Sequence, residues 1–209
     1  MQLTVFGATG RTGRHLVEQA LAAGHTVQAL ARNPAKIQVQ NDRLTVIQGN
    51  VQEADAVQEA IAGSEAVISV LGPTSNTPDY QITKGMKHIL EAMNQHEVER
   101  LIISVGAGVR DPQDQPGLLD KVIGAAVKLF SKHVYQDMVQ VDQLVRQSGL
   151  DWTIVRVPML TDGPAGEQLR VGYIGQGTGP RLARTDMAAF MLAQLEDDRY
   201  LHQAPVISN

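Results

Sequence analysis

Six short runs of branched apolar residues alternate along the chain with longer segments in which apolar residues recur every three or four positions. The runs cover residues 3–6, 26–30, 44–47, 66–71, 101–105 and 152–155. Runs of this length, bounded by turn residues, are typical of β-strands. The unbroken sequence Leu101-Ile102-Ile103 indicates a strand covered by helices on both faces, where polar and apolar residues no longer alternate. The alternation of the two segment types predicts parallel β/α units.

The segments between the runs have the spacing of amphipathic helices. In the first of them, Leu16, Val17 and Ala20 share one face, and Gly24 follows as a stop. The predicted helices cover residues 13–23, 53–61, 78–95 and 135–147, and a last helix capped by Thr185 extends to residue 195. We therefore predict an α/β fold, a doubly wound parallel sheet of the Rossmann type, in a single domain over residues 1–209.

Two irregular stretches, residues 106–117 and 158–181, lie in the second half of the chain. In an open parallel sheet, the loops at the carboxyl ends of the strands frame the ligand crevice. We expect the substrate pocket to be formed by loops within residues 72–80, 105–130 and 158–181.

Composition and charge restrict the classes of function. The formal net charge is −4 and the isoelectric point is near 5.8, so a nucleic-acid partner, which needs a basic stripe, is not expected. The chain has no cysteine, and its six histidines lack metal-ligand spacing, so we expect neither a disulfide nor a metal site. The apolar stretch 122–130 is much shorter than the about 20 residues that cross a bilayer. Because the first strand starts at once, the sequence predicts a cytoplasmic protein without a membrane partner. We also expect a monomer.

A glycine-rich segment, Gly7-Ala8-Thr9-Gly10-Arg11-Thr12-Gly13, joins the first predicted strand to the first predicted helix. In this context Gly7 permits a tight turn, Gly10 lets the backbone approach a diphosphate, and Gly13 allows the helix to pack closely. The unpaired N–H groups of the helix then face the diphosphate. The segment predicts a dinucleotide site to which all of its residues except Ala8 contribute. The alternative is an ordinary glycine-rich turn.

The second predicted strand is followed by Arg32, where an NAD-selective site usually has an acidic residue. A guanidinium can pair with a 2′-phosphate, so the sequence predicts that NADP(H) is preferred over NAD(H). A solvated surface arginine is the alternative. Asn50-Val51 and Leu71-Gly72-Pro73 follow the third and fourth strands. Asn50-Val51 is predicted to contact the adenine, and Leu71-Gly72-Pro73 the nicotinamide ribose. The alternative is that both are ordinary strand-to-loop connections.

The glycine-rich segment, Ala31-Arg32-Asn33, Leu71-Gly72 and the sequence SGLDWTIVR at residues 148–156 follow one another in this order. Through them the chain resembles atypical short-chain dehydrogenases, and most nearly the biliverdin-IXβ reductase and NAD(P)H-flavin reductase family. The resemblance runs nearly from end to end. It implies that NADPH lies extended across the strand ends and that flavins or linear tetrapyrroles are reduced. Flavin is then a substrate rather than a tightly bound cofactor.

The resemblance leaves the catalytic residues unassigned. Family members of the mammalian type line the pocket with a serine and a histidine, and Gly106 and Met159 stand at those positions here. Ser104 is nearby, as a weak catalytic candidate or a buried structural hydroxyl. Ordinary short-chain dehydrogenases have a tyrosine followed four residues later by a lysine, so that the phenol protonates the forming alkoxide. Here Tyr135 is followed by Val139, and we expect Tyr135 to be a packing or pocket-edge residue.

The missing tyrosine–lysine pair bears on the type of reaction. Hydride addition to an isolated ketone creates localised charge that needs a donor, whereas a flavin or bilin delocalises the added electron pair. We therefore predict an NADPH-dependent reductase of flavins or linear tetrapyrroles. The predicted pocket residues are Thr74, Gly106, Ala107, Gly108, Pro158, Met159 and Leu160. The alternatives are a non-catalytic NADP(H) sensor of the NmrA-like type and a sugar-nucleotide isomerase or epimerase, which the missing acid–base pair disfavours.

Overall fold

The structure, a computed structural model, describes residues 1–73, 75–166 and 168–209, and for Leu119, Ile123 and Val127 it describes the backbone alone. The strands of the described chain are β1 (Gln2–Phe6), β2 (Thr26–Ala31), β3 (Leu44–Gln48), β4 (Ala66–Ser69), β5 (Arg100–Gly106), β6 (Asp151–Val157), β7 (Met159–Thr161), β8 (Arg170–Gly172), β9 (Arg181–Ala183) and β10 (Val206–Ser208). Eight of them form one sheet in the order β3-β2-β1-β4-β5-β6-β10-β8, and β7 pairs with β9.

The large sheet is parallel from β3 to β10, and only its edge strand β8 is antiparallel to its neighbour. The strand order reverses between β1 and β4, because the first three strands run outward in one direction and the next three in the other. This is the topology of a doubly wound Rossmann sheet, and the predicted fold class is confirmed. In such a sheet, ligands bind outside the carboxyl ends of the strands at the point of reversal.

The helices of the described chain are α1 (Arg11–Ala22), α2 (Ala54–Ile61), α3 (Gln81–Gln95), α4 (Leu118–Phe130), α5 (Lys132–Arg146) and α6 (Arg184–Ala193). One buried cluster joins α1 and α6 to one face of the sheet, and a second joins α2, α3 and α5 to the other face. Neighbouring strand residues belong to different clusters: Leu101 and Ile103 pack with α5, whereas Ile102 packs with α6. The continuous apolar runs of the sequence follow from this burial on both faces.

Several boundaries differ from those predicted. Residues 118–130, expected within a pocket loop, form α4, and residues 158–181 contain β7 and β8. The strand β10 was not predicted, since its three residues are held by long-range pairing with β6 and β8. Thr185 does not precede the last helix but lies within it, and its Oγ1 accepts a hydrogen bond from Gln19 Nε2 at 3.1 Å. That bond ties α6 to α1.

The helix α4 presents apolar side chains to solvent. Leu118, Val122, Leu129 and Phe130 are exposed, and Phe130 retains 77% of its accessible surface. The end of α4 is joined to the loop after β4, because Asn76 Nδ2 donates a hydrogen bond to the Phe130 carbonyl oxygen at 3.1 Å. No helix in the described ranges is long and apolar enough to span a bilayer.

A buried guanidinium anchors the loop that follows β5. Arg156 on β6 is fully buried, and it donates two hydrogen bonds of 2.8 Å to the Asp114 carboxylate. It also donates to the carbonyl oxygens of Ala204 and Val109, at 2.6 and 3.0 Å. Burial alone would raise the pKa of Asp114, but the hydrogen bonds from Arg156 and from backbone N–H groups hold it below its usual value. These hydrogen bonds connect β6, the segment before β10 and the loop after β5.

We predict that Arg156→Met lowers the free energy of unfolding by about 3–5 kcal/mol, because it leaves the Asp114 carboxylate buried without its partner. Urea denaturation at neutral pH measures the loss. Folding lowers the pKa of Asp114, so its contribution is present above the unfolded pKa and is lost as the pH falls through the folded value. The variant should therefore lose less stability on acidification than the unaltered protein.

The exposed pair of Arg199 with Asp197 supplies the control, since Arg199→Met should cost much less stability than Arg156→Met. Equal losses for the two variants at neutral pH would contradict the assignment of Arg156 as an anchor.

Candidate functional site

A cleft runs along the carboxyl ends of the first four strands, between the loops that follow them and the first turns of α3 and α5. The predicted cofactor residues that line it are Gly7, Thr9, Gly10, Arg32, Asn50, Val51, Leu71, Gly72 and Pro73. The structure therefore brings together, from four separate loops, most of the residues proposed from the sequence. The cleft lies at the reversal of strand order, where a Rossmann sheet binds its ligand.

The turn between β1 and α1 is too tightly packed to carry side chains at its glycines. Gly7 has a φ of +86°, and a Cβ there would lie 3.0 Å from the Val70 carbonyl group. A Cβ on Gly13 would lie 2.1 Å from the Gly7 oxygen, so α1 contacts the turn directly. Gly10 precedes α1, and its own N–H donates to the Gly7 oxygen at 2.9 Å. The bare amino end of α1 thus faces the cleft.

This geometry fits a dinucleotide diphosphate. The first N–H groups of a helix carry partial positive charge, and the first turn of α1 contains no acidic residue to oppose an anion. Thr12 and Gly13 are buried beneath the turn rather than in the cleft lining. Gly13 contributes through packing, as its sequence position indicated. The predicted contact of Thr12 with the cofactor stays a prediction, and its side chain is buried in the first turn of α1.

Arg11 also stays outside the cleft lining. Its guanidinium forms an ion pair with Asp162, whose carboxylate pairs with Arg184 at 2.7 Å as well. Asp162 therefore links the start of α1 to the start of α6 and to the loop after β7. The predicted contact of Arg11 with the cofactor stays a prediction, and in this structure its guanidinium is paired with Asp162.

The ends of β2 and β3 form one half of the cleft. Arg32 is exposed directly after β2, and the side chain of Asn33 accepts the Ala35 N–H at 3.1 Å to close the turn behind it. Val51 packs against α3, because a Cβ at Gly85 would lie 2.6 Å from Val51 Cγ1. The absence of a side chain at Gly85 lets α3 approach the loop after β3. A basic group and an apolar wall therefore line the same cleft, as an adenosine 2′-phosphate would require.

The other half of the cleft combines residues of the range 72–80, which was predicted to form the pocket, with residues of α5 that sequence reasoning missed. The loop after β4 contributes Ser75, Thr77 and Asp79, and α5 contributes His133, Val134 and Asp137. Hydrogen bonds from the side chains of Thr77 and Gln81 lower the pKa of Asp79, which keeps this carboxylate ionised. His133 and Asp137 are one helical turn apart on α5, the helix expected to carry a tyrosine–lysine pair. This four-residue spacing of two polar residues is the sequence feature that could have identified them.

The buried carboxylate of Asp137 joins α5 to α3. It accepts hydrogen bonds from the backbone N–H groups of Ile82 and Thr83, at 3.2 and 2.9 Å, and from Thr83 Oγ1 at 2.5 Å. These N–H groups belong to the first turn of α3, where the positive end of the helix favours a carboxylate. Asp137 thus serves as a cap for α3 supplied by another helix.

The predicted substrate residues other than Thr74 lie together beyond the carboxyl ends of β5 and β6. Gly106 ends β5 opposite Val157 of β6, and the Ala107 N–H donates to the Val157 oxygen at 2.7 Å. Gly108 follows in the same turn, and Pro158, Met159 and Leu160 continue the chain after β6. These residues do not line the cleft itself. Thr74 lies outside the described residues.

The candidate catalytic groups are not assembled as a proton relay. Tyr135 is half-buried outside the cleft lining, and Lys128 Nζ lies 5.0 Å from the centre of its ring. Val139 follows one turn later on α5, as read from the sequence. Ser104 is half-buried within β5, paired in register with Val155. In the described chain, α5 therefore places no tyrosine–lysine pair at the cleft.

The fold and this cleft define a Rossmann-type dinucleotide-binding protein. The chain belongs to the family described as NAD(P)H-binding, whose profile matches residues 7–198, and the predicted family is confirmed at this level. It is similar to cinnamoyl-CoA reductase 1 of Oryza sativa subsp. japonica, with 25% identity over 185 residues that cover 78% of this chain and 54% of that protein. The chain spans between 36% and 54% of the length of the first three curated relatives it matches.

Solved structures share the whole fold. A short-chain dehydrogenase/reductase from Veillonella parvula in complex with NADP superposes with a TM-score of 0.80 and 20% identity, covering 100% of this chain and 94% of that one. ChuY, an anaerobillin reductase from Escherichia coli O157:H7, superposes with a TM-score of 0.78 and 18% identity, covering 100% and 97%. At these identities the likeness concerns the fold.

Proposed function

We propose that the protein is an NADPH-dependent reductase that transfers hydride to flavins, namely FMN, FAD or riboflavin, or to a linear tetrapyrrole such as biliverdin. The observation that carries the proposal is the combination of a dinucleotide cleft with a helix α5 whose cleft-facing residues are His133, Val134 and Asp137. Asp137 is committed to capping α3, so it is not free to act as an acid.

The proposed class of acceptor follows from the lack of a tyrosine–lysine proton donor among these side chains. When bound, NADPH supplies a hydride from its nicotinamide ring. An isolated ketone would then need a positioned acid of the tyrosine–lysine type, whereas a conjugated ring system spreads the added charge and takes its proton from water. The chain's own contribution is to hold the two flat groups in contact and to exclude competing geometries. The proposal matches the reductase names of cinnamoyl-CoA reductase 1 and of ChuY.

The acceptor is proposed to lie over the ends of β5 and β6. A Cβ on Gly106 would meet no atom within 4 Å, so the surface above this glycine is open. Ala107 and Gly108 continue that surface, and Met159 is exposed beside it. The exposed ring of Phe130 is held near the loop after β4 by the Asn76 hydrogen bond. Small residues beside the exposed Met159 suit a flat aromatic acceptor.

The proposed preference for NADPH is tested by Arg32→Ala. A charge-assisted hydrogen bond contributes about 1.5–3 kcal/mol, so the variant should lose roughly ten- to a hundredfold of its selectivity for NADPH over NADH. Fluorescence titration of the two cofactors measures this ratio. Arg170→Ala, at the exposed strand β8 on the far edge of the sheet, is the matched control and should leave the ratio unchanged. Equal affinities of the unaltered protein for NADH and NADPH would contradict the proposal.

The reaction is tested by steady-state oxidation of NADPH with FMN, FAD, riboflavin, biliverdin isomers, quinones and simple ketones. We expect turnover with a flavin or a bilin and little with ketones. Tight NADPH binding without turnover of any acceptor would favour the non-catalytic sensor, and efficient ketone reduction would show that a protein acid operates.

The position of the acceptor is tested in the same assay with Gly106→Val. Because the space above Gly106 is open, the added side chain should leave folding and NADPH affinity intact. It should lower kcat/KM for the conjugated acceptor at least tenfold by occupying its place, a loss of about 1.4 kcal/mol in transition-state binding. An unchanged kcat/KM would remove the acceptor from this surface. Gly124→Ala, an equally open glycine on α4, is the control.

A further inference from the structure

We propose that α4 is the surface by which the protein binds an anionic lipid membrane, with the helix lying along the headgroups and not across the bilayer. The inference goes beyond the proposed reduction, since it concerns a surface outside the cleft and does not depend on which acceptor is used. No membrane partner was expected from the sequence, because the apolar stretch 122–130 is too short to cross a bilayer. A helix that lies on the membrane surface needs no such length.

An apolar stripe runs along the solvent side of α4. It consists of Leu118, Val122, Ala125 and Leu129, whose spacing of four, three and four residues places them on one face of the helix. All four are exposed, and the two leucines retain 83% and 75% of their accessible surface. Such a stripe normally packs against the core of a globular protein. Here neither buried cluster of the fold includes a described side chain of α4.

The position of α4 is fixed at its two ends and not by its apolar stripe. At the start, the Asp120 carboxylate accepts the Gly117 N–H at 2.9 Å, which closes the turn that leads into the helix. At the end, Asn76 Nδ2 donates to the Phe130 carbonyl oxygen, and the exposed Phe130 adds an aromatic ring beside the stripe. The helix packs on α5. These contacts leave the stripe facing solvent in the described chain.

The charged residues around the stripe are mainly lysines. Lys121 precedes Ala125 of the stripe by four residues and Lys128 follows it by three, so both lysines border the stripe on α4. Lys132 begins α5 directly afterwards, and all three lysines are exposed. The one acidic residue in the sequence 117–132 is Asp120. Three positive charges and one negative charge therefore surround the stripe, although the whole chain has a formal net charge of −4.

This combination of side chains is complementary to an anionic lipid surface. Leucine and phenylalanine side chains insert at the boundary between headgroups and acyl chains, while lysine side chains extend to the negative headgroups. Exposed charges more than about 8 Å apart are largely screened at physiological salt. The local excess of lysine at α4 therefore outweighs the net negative charge carried by the rest of the molecule.

A second copy of the chain fits this surface less well. A stable protein interface uses about 20–30 residues on each side, more than a helix of 13 residues with a single apolar stripe provides. Antiparallel pairing of two α4 helices about a two-fold axis would also bring the lysine sides of both helices together. Like charges would then oppose the contact, whereas anionic headgroups would neutralise them.

Flotation of the protein with lipid vesicles tests the proposal. Vesicles of equal parts phosphatidylglycerol and phosphatidylcholine should bind the unaltered protein, and vesicles of phosphatidylcholine alone should bind it at least about tenfold more weakly. Raising the salt to about 0.5 M should weaken binding to the anionic vesicles, because salt screens the lysine charges. These comparisons use the unaltered protein, so they hold even where a variant fails to fold.

Two double variants separate the contributions of the surface. Leu118→Gln with Leu129→Gln removes apolar area from the stripe, and Lys121→Gln with Lys128→Gln removes two charges beside it. Each pair should weaken binding to the anionic vesicles at least about tenfold. Because all four side chains are exposed, the midpoint of urea unfolding should stay the same in both variants.

The control variant is Lys36→Gln with Arg199→Gln, which removes two charges from exposed residues outside α4 and should leave vesicle binding unchanged. An equal loss in the control and in the Lys121 and Lys128 variant would overturn the proposal, as would equal binding of the unaltered protein to both kinds of vesicle. So would an absence of binding to anionic vesicles. Self-association in sedimentation equilibrium that the Leu118 and Leu129 variant abolishes would assign the stripe to a second copy instead. None of these readouts involves oxidation of NADPH, so this proposal and the proposed reduction can fail separately.

Discussion

The close contact between α1 and the turn after β1 determines where everything else in the cleft lies. Gly13 packs so tightly on the Gly7 oxygen that no Cβ fits between them, and Gly7 in turn contacts the backbone of Val70 after β4. The turn with the start of α1 and the distant segment after β4 therefore meet without intervening side chains. The amino end of α1 points into the cleft because of this contact, and the loops after β2, β3 and β4 surround it at the reversal of the sheet.

The two sides of the cleft, on either side of the amino end of α1, differ in their side chains. On one side the exposed Arg32 stands beside an apolar wall made possible by Gly85, which lets α3 approach Val51. On the other side, α5 supplies an imidazole and a carboxylate already used as a helix cap. A cofactor held between them would be oriented by binding groups rather than by catalytic ones. This arrangement is the physical basis for proposing an acceptor that tolerates hydride addition without a positioned protein acid.

The sequence alone predicted the features that depend on local pattern. The six core strands were predicted because burial on two faces produces continuous runs of apolar residues. The glycine turn was predicted because a bare helix end requires glycines at short, fixed spacing. The failures share a different cause. The ion pair of Arg11 with Asp162 was not foreseen because the two residues lie 151 positions apart, and His133 was overlooked because Asn76 and the cleft wall come from a distant loop. Likewise β10 exists only through pairing with β6 and β8.

The most direct test of the central claim is a single-turnover measurement of cofactor oxidation inside the cleft. Protein saturated with NADPH, or with NADPH dideuterated at C4, is mixed with FMN or biliverdin and followed by the loss of reduced-nicotinamide absorbance. The account predicts oxidation of the bound cofactor that is slower with the deuterated form, because the C4–H bond breaks as hydride passes to the conjugated ring. Bound NADPH that persists unchanged with both acceptors would contradict it.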